Sequence, residues 1–573
     1  MPTIERGSTL RTTRGKRFND ETRTECNVRT SKMKATIALL AVGGLALAGC
    51  ASGSRDTDGG GAETELLTTT EPAVGDAGKI VWNSAYGELA SLDPIKAFNY
   101  PENQVVANLC ETLYQVQPDL SVQPHLATSA ESADGKTWVL GIRDDVTFWD
   151  GSPMTVDDVI FSLNRHLDPD EGSYWASATT ANIESIEQTA DWEVTVELAE
   201  PDAVFTDSLS NMVGVVVQED YREEAGENYG NPDAGVMCTG PYQVGDWKQG
   251  QSITLDRYDG YWNQDRAAKT AQIEIGFVVD STAISNGLST GEIQGSYDVP
   301  LAALGQLSSS DSGALHYGEG LQIMAIIPTG NGAFADPAVR RAITRATDRE
   351  AIAETVYEGT ASASRSVVPE AAWSQNPEVA QLRDDSLPDL GYDVEAAKHE
   401  LDAAEADLSA PIKIAYPSER GFYADILNEM ARGAQELGVT LEPVGVPSAQ
   451  FGAFFSDAAA REGYDGFVTT NYLGSSEPLP HLRSLSETDG DQNYSGFSDP
   501  AIDAKLAEAR AEVDPTRRAE LTVEAEALIM EQQPWVPVTD LWVRLYMDAS
   551  ITGAPASFVY LYYPWAADLG TAE

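Results

Sequence analysis

Apolar and polar positions alternate along this chain in many short periodic runs rather than in a few long ones. Lys79-Ile80-Val81-Trp82 reads as a short apolar strand, and Ser91-Leu92-Asp93-Pro94 as a turn with Pro after Asp. Residues 103–114 carry apolar side chains at helical spacing, which predicts a helix ending near Leu113-Tyr114. Thr137 to Leu140 alternates, and Val146 to Trp149 reads as a strand closing on the turn Asp150-Gly151. Thr155 is placed to cap a helix opening at Val156-Asp157-Asp158, where the acids meet its positive end. Glu193 to Leu198 has period two. Further strands are predicted at 242–247, 252–257 and 271–279, and a helix at 337–346 with Pro337 at its tolerated first position. A βαβ-like unit runs from Ile412-Lys413-Ile414-Ala415 through a helix at 422–437 to Val439-Thr440-Leu441-Glu442. Helices at 500–511 and 515–532 precede apolar strands at 535–547. No internal repeat is visible. Strands and helices alternate in more than one block, so the fold class is α/β.

Length and charge narrow the class. A chain of 573 residues exceeds one ordinary domain, and its 42% hydrophobic content excludes wholesale disorder. The 90 acidic side chains outnumber the 37 basic ones. Such a surface repels phosphate backbones, so no nucleic-acid partner is expected. The first 49 residues reverse the balance, with nine Lys/Arg against four Asp/Glu. From Met33, Lys34 leads into an apolar run from Ala35 to Ala48, then Gly49 and Cys50. That is the build of a signal peptide, and it is too short to span a bilayer comfortably. Met33 is the better start of translation, and 1–49 is read as a leader. The tetrapeptide Leu47-Ala48-Gly49-Cys50 resembles a bacterial lipobox, which implies a lipidated Cys50 and a membrane anchor. Residues 50–78, rich in Gly, Ser, Thr and Asp, then read as anchor and flexible tether. Besides Cys26 and Cys50 only Cys110 and Cys238 remain. A lone pair in an exported chain reads as a disulfide before a metal site, although spacing leaves open whether the two meet.

Several segments in sequence order resemble the large substrate-binding lipoproteins of peptide, nickel and opine importers. They are Ser91-Leu92-Asp93-Pro94, Cys110-Glu111-Thr112-Leu113-Tyr114, and Phe148-Trp149-Asp150-Gly151 with Thr155-Val156-Asp157-Asp158-Val159. Thr239-Gly240-Pro241-Tyr242, Tyr261-Trp262, Gly291-Glu292-Ile293 and Asp336 to Ile343 follow, then Asp348-Arg349. Tyr494-Ser495-Gly496-Phe497 and Gln533-Pro534-Trp535-Val536-Pro537 close the series. The resemblance spans roughly 79–569. It implies a three-lobed clamp of the type II periplasmic-binding-protein kind, monomeric, without a cofactor, delivering a solute to ABC permease subunits. Lobe I would be discontinuous (79–120, 237–325 and 536–573), lobe II would be 121–236, and lobe III 326–535.

The resemblance also suggests ligand contacts. In its dipeptide-binding branch an Arg soon after a lobe III strand pairs with the ligand carboxylate, and Arg420 in Tyr416-Pro417-Ser418-Glu419-Arg420 matches that place. An Arg fork meets a carboxylate bidentately. The same branch holds the peptide amine with an Asp three residues before an acid-Pro pair. Here Glu477-Pro478 is present but the Asp position is Gly474, so ordinary free-amine peptides are in doubt unless Glu477 or another acid supplies the charge. The backbone of Asn471, Tyr472, Leu473 and Gly474 is expected to pair with an extended ligand. Peptide is the first choice, with opines, oligosaccharides and metal chelates left open. Two other patterns carry little. Gly287-Leu288-Ser289-Thr290-Gly291 fits a nucleophile elbow, the sole basis for an alternative secreted acidic hydrolase, but helix rather than strand precedes it. Asp489-Gly490-Asp491-Gln492-Asn493 begins like a calcium loop but puts Tyr494 where Gly is required. The five histidines are scattered, with no pair at metal-ligand spacing.

Overall fold

Two long strands, Gly313–Pro328 and Val536–Asp548, pair antiparallel along most of their length and form the spine of the molecule. The computed structural model describes residues 64–176 and 180–573. The leader, the Met33 start, Cys50 and tether residues 51–63 lie outside them. One end of the spine continues into a sheet flank made of Gly295–Ser296, Lys79–Asn83, Gln272–Gly276, Ser252–Arg257 and Tyr242–Lys248. The other continues through Gly466–Tyr472 to Ile412–Pro417 and Leu441–Val446. With Ala361–Ala363 beside Val536–Asp548, the result is one mixed sheet of 11 strands.

The parallel pair Ile412–Pro417 and Leu441–Val446 is joined by the helix Gly421–Glu436, the expected βαβ unit. The helix buries Tyr423, Ile426, Leu427, Met430 and Ala434, one face at helical spacing. The helices Pro337–Ala346, Pro500–Ala511 and Pro515–Gln532 each open with an Asp cap and Pro at the first turn.

A second, four-stranded antiparallel sheet is ordered Ala127–Glu131, Thr137–Ile142, Glu193–Leu198, Ile183–Ala190. Its two central strands alternate as the sequence predicts, burying Leu140, Val194 and Val196 completely. These pack with Phe148, Val159 and Leu163 into a core of their own. The helix Val156–Asn164 has the full capping box between Thr155 and Asp158.

Three expectations change. The helix predicted over 103–114 is Tyr100–Val106; after it the chain turns, and Leu113 N–H donates to Gly214 O to enter the second layer. Val146 to Trp149 is a turn, in which Phe148 bonds Ser152 and only a single bridge joins Thr147 to Pro153. Residues 64–78, read as free tether, are held by the body. Leu67 N–H donates to Tyr317 O and Thr70 to Ala554 O, and Gly75 bridges Thr571.

The Cys110 and Cys238 sulfurs are bonded, with Cα atoms 4.9 Å apart. Next to them the fully buried Glu111 collects Thr239 Oγ1 and Trp262 Nε1 at 2.7 Å, His125 Nε2 at 2.9 Å, and the Tyr261 hydroxyl. Burial works against its charge, but His125 and these bonds outweigh that and hold its carboxyl below the usual range. Trp149 docks on the same junction through its backbone to Cys238 O and its indole to Gly240 O. Four of the segments that carried the resemblance, those at Cys110, Phe148, Thr239 and Tyr261, therefore meet at the junction of the two layers.

Candidate functional site

The strand Gly466–Tyr472 pairs along its length with 322–328 on one side. On its other side Ile412–Pro417 reaches only Gly466 and Phe467 before the chain turns away at Pro417. From Val468 onward the strand therefore has a bare edge among the described residues. That edge faces a cleft of about 760 Å³, a size suited to a small ligand. Thr469, Thr470, Asn471, Tyr472, Leu473, Gly474 and Ser475 form one wall, Phe98, Asn99, Tyr100 and Tyr562 a second, and Tyr174, Trp175 and the stretch from Asp202 to Asn211 a third.

The wall residues hold one another in place. Asn471 Nδ2 donates to Gln492 Oε1 at 2.8 Å. The Tyr472 hydroxyl donates to Phe98 O at 2.7 Å, and its ring meets Tyr100 edge-on at 5.2 Å. Leu473 is buried and its N–H bonds Leu321 O, which continues the strand's paired side. Gly474 lies against the second layer: a β-carbon there would stand 3.4 Å from Asn211 Nδ2. Phe98 and Tyr174, both exposed and both lining the cleft, stack at 3.7 Å between ring centres. Phe455, Tyr494 and Trp535 add further aromatic surface.

Charge is uneven. Asp202, Asp207, Glu477 and Asp491 line the cleft, against Arg483. Asp202 is neutralised by Arg510 at 3.1 Å and Arg483 at 3.7 Å, pairs that tie the second layer to the helices beyond the cleft. Glu477 faces Arg518 at 3.9 Å, outside hydrogen-bond range. Burial raises its pKa and Arg518 opposes the rise. Asp207 is pushed up to about 7, first by burial and then by the charge of Glu477. His481, also on the wall, is buried and donates from Nε2 to Val367 O at 3.1 Å, its pKa driven down to about 4 by desolvation.

Five of the residues singled out in the sequence meet here: Asn471, Tyr472, Leu473, Gly474 and Glu477. Arg420 does not line the cleft. It is exposed just before the helix Gly421–Glu436, where its charge acts on Tyr423 and Tyr86. Each of those two touches a wall residue, Tyr423 bonding Thr470 at 2.8 Å and Tyr86 packing on Tyr100 at 4.4 Å. Sequence reasoning missed Asp202, Asp207 and Asn211, which lie in or beside the short helical turns Phe205–Ser208 and Met212–Gly214 without a motif. It also set aside Asp491 and Gln492 with the failed calcium-loop pattern, yet both line the cleft. Among the described residues no group of three or more His, Cys, Asp or Glu is placed to hold a metal ion. Nor is any helix there long and apolar enough to cross a membrane.

Residues 121–493 match the sequence model of the bacterial extracellular solute-binding proteins, family 5. The chain belongs to that family. It is 24% identical over 487 residues to the oligopeptide-binding protein OppA of Bacillus subtilis, covering 79% of this chain and 86% of that one. Heme-binding protein A of Haemophilus influenzae is 26% identical over 542 residues, 88% of this chain and 94% of the other. The structure of AppA from Bacillus subtilis in complex with a nonapeptide superposes with a TM-score of 0.71 at 20% identity, covering 87% of this chain and all of AppA. The family 5 chain thus has the type II clamp fold and is the extracytoplasmic solute-binding component of an ABC importer rather than an enzyme. The hydrolase alternative finds no support: Ser289 lies inside the helix Ser281–Thr290, donates to Ser285 O and accepts from Gln306.

Proposed function

We propose that the ligand is a peptide, bound extended as an added strand on the bare edge from Val468 to Gly474. The observation that carries this reading is the unpaired edge itself, lying in the cleft wall. Main-chain hydrogen bonds give affinity in such pairing, and pockets for alternate side chains give selectivity. The aromatic walls suit varied side chains, and the names of OppA and the AppA complex point the same way for those proteins. Arg420 is the cation for the ligand's carboxylate end, reached by a ligand long enough to extend past Tyr100. Closure works between three lobes, 79–120 with 237–325 and 536–573, then 121–236, then 326–535, and hands the solute to the permease. The protein acts as a monomer tethered through a lipidated Cys50. Mass spectrometry of ligand co-purifying with the full chain tests the reading. Peptides of mixed sequence are expected, and a single non-peptide solute would replace it.

A further inference from the structure

The mixed sheet has a break along its spine. Gly313 to Gly318 pair with Val543 to Asp548, and Gln322 to Ile326 pair with Val536 to Leu541. Between these stretches Glu319, Gly320 and Leu321 stand opposite Trp542 alone. The strands of one flank attach on one side of the break, at Tyr546 and Met547. Those of the other attach beyond it, at 322–328 and at 539–541. The two halves of the sheet are therefore joined by two strands, and the break is where those strands can bend. A cavity of about 170 Å³ lies at this point, with Glu319, Gly320 and Trp542 in its lining. Leu66, held to one half through the bond from Leu67 to Tyr317 O, lines it from one side. Ser362, Glu370 and Asp540 line it from the other half. Asp540 is buried, and its Oδ1 has no partner although Oδ2 accepts Glu370 N–H. A buried carboxylate with an oxygen left over is costly, whereas a proton removes the charge. The cleft is shut in this arrangement. Tyr472 hydroxyl donates to Phe98 O at 2.7 Å, Ser476 Oγ to Leu120 O at 2.9 Å and Ala203 N–H to Arg510 O at 2.8 Å, each bond joining 79–236 to 326–535.

We propose that Asp540 is a proton-operated stop at this hinge: with its proton the two halves close, and without it the balance moves to an open arrangement in which water reaches Oδ1. The inference rests on the lobe closure proposed above. The closed arrangement leaves Oδ1 without a donor, so it is the one that the neutral acid favours. The groups facing Asp540 do not rescue its carboxylate. Glu319 and Glu370 share the cavity with it, the charge of Glu370 repels it, and burial raises the Glu319 carboxyl as well. Arg383 attracts it but is bonded to Glu526 at 2.9 Å. Arg349 also feels its charge but is held by Ser364 O and Leu390 O. The Ser364 hydroxyl donates to Ser366 O. In this arrangement burial pushes the Asp540 carboxyl up to about 7, while a hydrated Asp ionises near 4. The closed arrangement is therefore fully favoured in acid and loses ground as pH rises through about 7.

Hydrogen exchange of the full chain, resolved to single amides, tests this without a ligand. Ala203 N–H reports the bond across the cleft, and Ile412 N–H, bonded to Thr440 O at 2.8 Å within one half, reports unfolding. Comparing the wild-type chain with Asp540→Asn at one pH cancels the intrinsic pH dependence of exchange. Ala203 should exchange faster than Ile412 in both proteins. At pH 6 its rate should be alike in the two, and at pH 8 it should be roughly tenfold faster in the wild type, as one proton released near pH 7 requires. Equal Ala203 rates at pH 8 overturn the stop and leave lobe closure standing. Ala203 as slow as Ile412 in both proteins means that the cleft does not open short of unfolding, which overturns lobe closure and the stop with it. Should the variant fail to fold, the wild-type chain decides alone. Its Ala203 rate, divided by that of an unprotected amide, should rise roughly tenfold from pH 6 to pH 8, and a flat ratio overturns the stop.

Discussion

Asp540 is the residue whose surroundings make the most direct demand on the molecule's stability. It sits mid-strand between Ile323 and Ser362, 6% exposed, accepting Glu370 N–H on Oδ2 while Oδ1 has no partner. Burial pushes its carboxyl up to about 7, with the Glu370 charge adding to the rise and Ser364, the Glu370 N–H and Arg383 opposing it. The unfolded chain would ionise it near 4. The folded state holds the proton longer, so this group's contribution is complete below about 4 and is lost as pH rises through about 7, at up to about 1.4 kcal/mol per pH unit. Calorimetry should find Asp540→Asn raising the melting temperature above neutral pH while changing little in acid. An unaltered pH profile would mean that Asp540 is ionised in the fold. Residue identity in the cleft was only partly legible in the sequence. Asn471 to Gly474 and Glu477 were found because they lie on one stretch of chain beside a recognisable acid-Pro pair. Asp207 and Asn211 were not, since nothing local marks a residue whose meaning comes from a strand far along the chain. Arg420 matched a pattern of spacing, but spacing does not tell that its side chain is exposed before the helix Gly421–Glu436 and outside the cleft lining.

Elements with caps and clean periodicity were the readable ones. The helix Val156–Asn164 announces itself through Thr155 and Asp158, and both halves of the capping box are made. Asp158 also accepts Glu219 N–H through its second oxygen at 2.9 Å. Thr155→Ala is expected to cost about 1 kcal/mol, and Asp158→Ala more, because it frees a donor on a second element as well. Hydrogen exchange should speed up first in this helix, and exchange unchanged there would deny the cap any weight. The strand Gly313–Pro328 escaped the sequence reading for an equally physical reason. Gly313, Gly318 and Gly320 look like turn punctuation, but they allow close approach, to Met547, to Ala556 and to Leu541 O respectively, where a β-carbon would collide. The register shifts between Gly318 and Gln322, so the strand carries an irregularity that breaks any period-two pattern.

Across the whole molecule, the two ends of the processing chemistry can be tested separately. The Cys110–Cys238 bond spans 128 residues and pins the start of the second layer to its exit. Replacing both cysteines by Ala should lower stability by roughly 2–4 kcal/mol, seen as a lower denaturant midpoint; an unchanged midpoint would show that the Glu111 junction suffices alone. Cys50→Ser should move the protein from the membrane to the soluble fraction in a bacterial host, and a membrane-bound variant would rule out lipid anchoring at that residue. The bare edge from Val468 to Gly474 has a consequence of another kind. An unpaired strand edge usually invites other proteins to aggregate on it. Here it forms one wall of a cleft of about 760 Å³, which the stacked rings of Phe98 and Tyr174 also line. A strand that is already part of a folded sheet brings its neighbours with it and cannot enter, whereas a loose length of chain can. If the ligand is the extended peptide proposed above, the recess sorts what reaches the edge by whether it is folded.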